Sequence, residues 1–180
     1  LDARVLVYGK DVKQEQLPKM AIRAYPMKYV SSWTAKDKTN VTIRPILPED
    51  EKLLVRFHAD LSDRSVFLRY LQPMMFQERV VHERLSRICH CDYDREIALV
   101  AEKKVDGESI IMGVVRLSKL HATSEGRLSI LVADPYQGTG LGGEMVRRMI
   151  EVAKQEHLEK ISAILTDDNQ VRSEERRVGK

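Results

Sequence analysis

The stretch Leu131–Gly143 (Leu-Val-Ala-Asp-Pro-Tyr-Gln-Gly-Thr-Gly-Leu-Gly-Gly) constrains this chain more than any other. An apolar strand runs into a turn dense in glycine, and the turn opens an amphipathic helix. The first turn of a helix carries amides without intrahelical acceptors and a partial positive charge, so it attracts anions. Glycine lets the backbone approach such an anion with no Cβ in the way. The turn therefore points to a ligand that carries a pyrophosphate. A P-loop requires Gly, four residues, then Gly-Lys-Ser/Thr; here Gly143 is followed by Glu144 and no lysine enters the turn. Gly138-Thr-Gly140-Leu-Gly142-Gly143 is similar to the dinucleotide pattern G-x-G-x-x-G with its last glycine one place early, and the next strand runs into Asp167 and Asp168. That fingerprint belongs to the first strand of a unit, whereas several elements precede this one. A glycine-rich helix start with no ligand is the plain alternative, and the strand–turn–helix context weighs against it.

The remaining sequence sets the frame. The chain has 180 residues, 43% hydrophobic and 32% charged, which is enough to bury one core with some excess. No apolar run approaches membrane-spanning length, and Leu1-Asp-Ala-Arg4 lacks the layout of a signal peptide. Cytoplasmic location and no membrane partner are the expectations. A net charge of +3, evenly spread, argues against nucleic acid. Cys89, His90 and Cys91 lie too close together for structural zinc, which needs four ligands at wider spacing. They are read as two reduced thiols and a histidine, with no metal.

Residues 1 to about 33 differ in character from the rest of the chain and are too few to fold alone. They are read as the tail of a preceding domain plus a tether, with Ser31–Asn40 as polar linker. From Val41 the elements alternate. Val41–Ile46 reads as a strand, and Pro48-Glu-Asp50 starts a helix whose Leu53, Leu54, Phe57 and Leu61 share a face. Ser62–Tyr70 is a second helix, and Phe76, Val80, Val81, Leu85 and Ile88 mark a third. Strands at 97–101 and 109–117 are joined by a turn at Asp106-Gly107, hence a hairpin. Residues 127–132 form the next strand. Leu141, Met145, Val146, Met149, Ile150, Val152 and Ala153 line the buried side of the long helix, and 160–166 is the last strand. The order is that of a mixed-sheet α/β (α+β) layout.

Gln137-x-x-Gly140-x-Gly142 resembles the acyl-CoA signature of the GNAT acetyltransferases, Q/R-x-x-G-x-G/A. The resemblance extends through 41–46, Pro48–Asp50, Phe57-His58, Leu61–Tyr70, His82–Cys89, Asp92–Glu102 and Gly113–Lys119. It is to the subgroup fused behind an ADP-forming acyl-CoA synthetase, the bacterial protein-lysine acetyltransferases. Leu17–Pro26 is similar to the join in such fusions and Leu1–Arg4 to the end of an ATP-grasp domain. The resemblance implies residues 1–40 as synthetase tail and linker and 41–170 as a GNAT N-acetyltransferase domain. It implies acetyl-CoA as cosubstrate, held by Gln137, Gly138, Thr139, Gly140, Leu141, Gly142 and Gly143, with Asn169 beyond the last strand. It also implies that a backbone N–H of Leu131, Val132 or Ala133 polarises the acyl carbonyl. The partners implied are acyl-CoA, a protein-lysine acceptor and the fused acyl-CoA synthetase domains.

Two departures stand out. After Asn169 the family continues into a helix and a Gly-Phe strand, whereas Arg172–Lys180 is charged throughout and looks like a translated sequencing-library adapter. Residues 171–180 are therefore expected to be non-native, and the domain C-terminally truncated, a fragment at both ends that turns over weakly. The second departure concerns the base. Amine acetylation needs a polarised carbonyl, a neutral amine and a leaving thiolate. The resemblance places a carboxylate five residues before Val132-Ala-Asp134, where this chain has Arg127, which cannot act as a base. Glu125 is the nearest substitute: with period-2 alternation Glu125, Arg127, Ser129 and Leu131 share a face if the strand reaches that far. The bland alternative is an exposed turn residue. Glu96 is the second candidate, with an ion pair to Arg95 or a neighbour as its alternative, and His121 the third. His58, His82 and His157 are read as helix-surface residues. Three functions compete: acetyl transfer to protein lysine, acetyl transfer to a small amine, and a non-catalytic acyl-CoA-sensing module of a fused synthetase.

Overall fold

A computed structural model describes residues 23–164. The readings made on 1–22 and on 165–180, Asn169 among them, lie outside the described residues. Strands β1 (Ser31–Thr34), β2 (Asn40–Pro45), β3 (Glu96–Val105), β4 (Glu108–Lys119), β5 (Glu125–Val132) and β6 (Lys160–Ser162) form one mixed sheet in sequence order. All neighbours pair antiparallel except β5 and β6, which run parallel. Helices α1 (Glu51–Ala59), α2 (Asp63–Tyr70), α3 (Phe76–Arg79) and α4 (His82–Cys89) fill the connection from β2 to β3, and α5 (Leu141–Gln155) the connection from β5 to β6.

The sheet is buried on both faces, and β3 shows why. Ile97, Leu99 and Ala101 join the core under α5, whereas Ala98 and Val100 join the core under α1–α4. Period-2 alternation thus reads apolar on both sides, as a central strand requires. From α5, Leu141, Met145 and Met149 are fully buried against the sheet; each such side chain stabilises by about 1.5–3 kcal/mol. Hairpin β3–β4 turns at Asp106 (φ 51°) and Gly107 (φ 85°), two left-handed residues whose twist matches the flanking strands. The register slips at Ala101/Glu102, leaving Met112 as the extra residue on β4. That bulge resets the alternation, so Ile111 and Val114 both pack toward the α1–α4 layer while Met112 and Val115 lie under α5.

Four expectations are corrected. The polar stretch Ser31–Asn40 is a β-hairpin rather than a linker: β1 pairs with β2 from Ser31↔Ile43 to Thr34↔Asn40, and Arg148 Nη2 donates to Ser32 O at 2.9 Å. A short polar strand with one free edge has no apolar stripe to announce it. The third helix is two, α3 and α4, broken where Val81 is extended (ψ 130°). The break turns Arg79 inward, where it is buried and its Nη1 donates to His58 O at 3.3 Å. On α5, Ile150 is exposed and Val146 half-buried, so the buried stripe is narrower than the apolar pattern. Among the described residues the last strand ends at Ser162.

Candidate active site

The glycine turn follows a one-turn helix, Asp134–Tyr136, and carries two left-handed residues, Gly138 (φ 73°) and Gly140 (φ 89°). Gly140 is the N-cap of α5, and its carbonyl accepts the Glu144 amide at 3.1 Å. Among the described residues, no acceptor meets the amides of residues 138–143. Nothing lies within 4 Å of the point where a Cβ on Gly138 or Gly140 would sit. Free donors at the positive end of a fifteen-residue helix, facing open space, fit a pyrophosphate.

Among the described residues, β5 pairs with β6 from Glu125↔Lys160 to Arg127↔Ser162, while its pairing with β4 continues to Val132↔Gly113. Ala133 N–H donates to Met112 O on β4 at 2.9 Å. N–H groups alternate sides along a strand, so Ala133 and Leu131 point toward β4, and Val132 points its N–H away from β4, where no described residue accepts it. The Gln137 side chain braces the same residue, since its Nε2 donates to Val132 O at 2.9 Å and to Ser65 Oγ at 3.0 Å. Asp134 ties the same turn to α2. Its carboxylate accepts the Ser62 amide (3.1 Å), the Ser62 hydroxyl (2.5 Å) and the Ser65 hydroxyl (3.1 Å). The start of α2 and the end of β5 therefore move as one piece.

A cavity of about 560 Å³ lies on the α1–α4 side of the sheet, alongside β5. Its floor is Glu96, Val114, Arg116, Ser129 and Leu131; α1, α2 and α4 wall it with His58, Arg69, Tyr70 and Arg84 among others. Arg116 Nη1 pairs with Glu96 Oε1 at 2.6 Å, and its Nη2 donates to Ile88 O at 2.8 Å. Arg69 Nη2 donates to Ser129 Oγ at 2.8 Å. The guanidinium groups of Arg69 and Arg84 both lie on the Tyr70 ring, at 4.9 and 4.8 Å from its centre. His58 is 3% exposed and its Nδ1 has no partner among the described residues. Burial, reinforced by the charges of Arg84, Arg79 and Arg69, pushes its pKa down to about 4.

The two carboxylates singled out in the sequence are not brought together. Glu96 opens onto the cavity. Glu125 does stand on β5, on the same face as Arg127 and Ser129, but at the strand's far end, where Lys160 Nζ pairs with it at 3.1 Å. Seven residues of strand, about 23 Å, separate it from Val132. Arg127 and His121 are exposed. His82 is on the surface, its Nδ1 2.6 Å from Glu51 Oε1, and His157 is exposed after α5. The surface reading of His58 is corrected: it lines the cavity, because α1 turns it toward α3 and α4 rather than to solvent. Arg69, Tyr70, Arg84 and Arg116 are further site residues with no motif in the sequence; only their place on inward helix and strand faces could have signalled them. Cys89 and Cys91 are free thiols, and burial pushes Cys89 up to about 12.

A strand that feeds a glycine-rich helix start, with a cavity across the sheet, is the arrangement of a GNAT-type domain. The family model described as "Acetyltransferase (GNAT) domain" matches residues 40–173, and the chain belongs to that family. It is 30% identical over 118 residues to Acetyltransferase PA5475 of Pseudomonas aeruginosa, covering 66% of this chain and 62% of that protein. The fold is similar to the GNAT domain of S. lividans PAT (TM-score 0.76, 23% identity, 86% of this chain and 89% of that one). It is also similar to Mycobacterium smegmatis RimJ in complex with CoA-disulfide (TM-score 0.64, 18% identity, 83% and 74%). No helix among the described residues is long and apolar enough to cross a membrane.

Proposed function

We propose that this chain is an acyl-CoA-dependent N-acetyltransferase that moves acetyl from acetyl-CoA to an amine, with a protein lysine as acceptor. The observation that carries the reading is the juxtaposition of the free amides of residues 138–143 with the outward N–H of Val132. The loop amides would hold the pyrophosphate, and Val132 N–H would donate to the thioester carbonyl oxygen, where charge builds as the amine attacks. Glu96, which lines the cavity, would take the ammonium proton through water. Nitrogen then bonds to the carbonyl carbon, the C–S bond breaks, and the departing thiolate takes up a proton. The products are an amide, the free thiol and one proton.

A protein acceptor is supported by exposed apolar side chains at and just beyond the end of α2, the helix that gives Arg69 and Tyr70 to the cavity. Phe67 and Leu71, one turn apart at the end of α2, are 46% and 44% exposed, and Met75 is 71% exposed. Large apolar side chains left in solvent suit a macromolecular partner better than a free amine. The fusion to acyl-CoA synthetase domains rests on the resemblance of residues 1–26 and of the segments between 41 and 119 to the fused subgroup. Incubation with acetyl-CoA and a lysine protein, followed by mass spectrometry, tests the reading. Acetyl-lysine formed by the native chain but not by Gly140→Asp supports it. Acetyl-CoA binding with no transfer to any amine overturns it in favour of the sensing module.

A further inference from the structure

The cavity beside β5 has a charge imbalance. Four arginines and two glutamates line it, and both glutamates are paired: Glu96 with Arg116 at 2.6 Å and Glu83 with Arg87 at 3.5 Å. Arg69 and Arg84 are left with no carboxylate among the described residues. Within that same set their hydrogen bonds go to neutral oxygens, Ser129 Oγ and the Arg79 carbonyl, at 2.8 and 3.2 Å. Both are half-buried and stacked on the one Tyr70 ring, so neither can swing freely into water. Two like charges held this way repel each other and lack an anion.

We propose that the acceptor carries an anionic group beside its amine, and that Arg69 and Arg84 bind that group. This rests on the acetyltransferase reading above and narrows its acceptor to a lysine with a neighbouring acidic side chain, a chemistry that a free amino acid also offers. Arg69 reaches the floor at Ser129, two residues before Leu131 and close to the Val132 end of the strand. An anion seated there leaves the amine to extend along β5 toward Val132. Guanidinium groups match a carboxylate or phosphate in geometry as well as charge. Burial above all, and then the charges of Arg116 and Arg84, lower the pKa of Arg69, a cost that an arriving anion relieves. His58 Nδ1, buried and unpartnered among the described residues, offers the same ligand a further polar contact.

The test uses the whole 180-residue chain with CoA present. Calorimetry compares a peptide whose lysine is flanked by glutamates with the same peptide carrying glutamines, and free glutamate with free glutamine. The glutamate peptide is expected to bind about tenfold or more tightly, with the margin shrinking as salt is added. The double variant Arg69→Gln, Arg84→Gln is expected to lose the preference. A preference seen only with the free amino acids moves the site to a small-molecule acceptor and overturns the lysine assignment. Equal binding of both pairs overturns the proposal outright; if both peptides are then acetylated at equal rates, the acetyltransferase reading survives. A clear preference with no acetyl transferred does the reverse. The peptide comparison needs no variant, so a misfolded double mutant leaves it decisive.

Discussion

The side-chain amide of Gln137 donates to the carbonyl oxygen of Val132 at 2.9 Å, so the first residue of the glycine turn fixes the peptide group at the end of β5. Replacing Gln137 with Leu removes this bond and the one to Ser65 together. About 1–3 kcal/mol of stability is expected to go, the ordinary net worth of two hydrogen bonds. Because the Val132 peptide loses its anchor, kcat is expected to fall more than the stability change alone implies. Urea unfolding and steady-state kinetics on the same preparation separate the two; an unchanged kcat contradicts the positioning role.

Gly140 and Gly107 make a matched pair for the anion site. Their φ angles are 89° and 85°, and neither has a neighbour within 4 Å of an added Cβ. Alanine at either position is forced into the left-handed region, at a cost of about 1–2 kcal/mol. Gly107 sits in the β3–β4 turn, away from the loop, whereas Gly140 caps α5. Both variants are expected to unfold at similarly lowered urea concentrations. Only Gly140→Ala should lose acetyl-CoA affinity, by about tenfold for each 1.4 kcal/mol of misplaced amide contact. Equal affinities in a calorimetric titration count against the loop as the pyrophosphate site.

His58 makes stability depend on pH in a window with a definite sign. Its pKa is pushed down to about 4 by burial and then by Arg84, Arg79 and Arg69. The unfolded chain, at about 6.5, therefore binds a proton that the folded chain refuses. Stability is complete above about pH 6.5 and is lost as pH falls toward 4, by about 3 kcal/mol over the window. His58→Phe removes the titrating group, and the gap between the two proteins' unfolding free energies is expected to close between pH 7 and 4.5. Parallel curves contradict a buried neutral imidazole.

The parts of this molecule that were legible in the sequence are those encoded by neighbours along the chain. The turn at Asp106-Gly107 and the strand–glycine–helix unit at 131–143 each depend on local backbone chemistry, and each lies where the pattern puts it. The cavity does not work that way. Glu96 and Arg116 meet on neighbouring strands across a sheet that the bulge at Met112 re-phases, and no periodicity announces a bulge. Arg69, Arg84 and His58 come from three helices, and each one alone looks like an ordinary surface residue of its helix. Glu125 failed to meet the site for the opposite reason: its face was read correctly, but distance along a strand is not a matter of face.

Glu156, at the end of α5, holds the segment before β1 onto the domain. Its carboxylate accepts from Arg23 Nη1 (2.8 Å), Tyr29 Oη (2.6 Å) and Lys119 Nζ (2.8 Å), and its side chain is 6% exposed. Burial alone would raise this carboxyl, but the bonds from Arg23, Lys119 and Tyr29 outweigh it and hold it well below the usual range. Glu156→Gln leaves two half-buried cations, Arg23 and Lys119, without their anion and is expected to cost about 1.5–3 kcal/mol at pH 7. For a depressed carboxyl the stabilisation is present above the unfolded value near 4.3 and fades as pH falls below it. The deficit of the variant should therefore shrink in acid, and a deficit constant from pH 7 to 3 contradicts the assignment.

Glu96 and Glu125 separate by kinetics. Glu96 lines the cavity with Arg116 at 2.6 Å, whereas Glu125 pairs with Lys160 at the far end of β5. A positioned base contributes about 10²–10⁴-fold to the rate. Glu96→Gln keeps the shape and the hydrogen bond to Arg116 but cannot accept the ammonium proton. Its kcat is expected to fall within that range while the KM for acetyl-CoA, which is set at the glycine turn, holds. Raising the pH supplies the neutral amine without help from the protein, so the deficit should narrow as pH climbs toward the lysine pKa. Glu125→Gln should leave kcat alone and lose only the exposed ion pair, worth less than about 1 kcal/mol. If the two variants exchange these behaviours, the proton leaves from the other end of β5, and the cavity is not where the amine reacts.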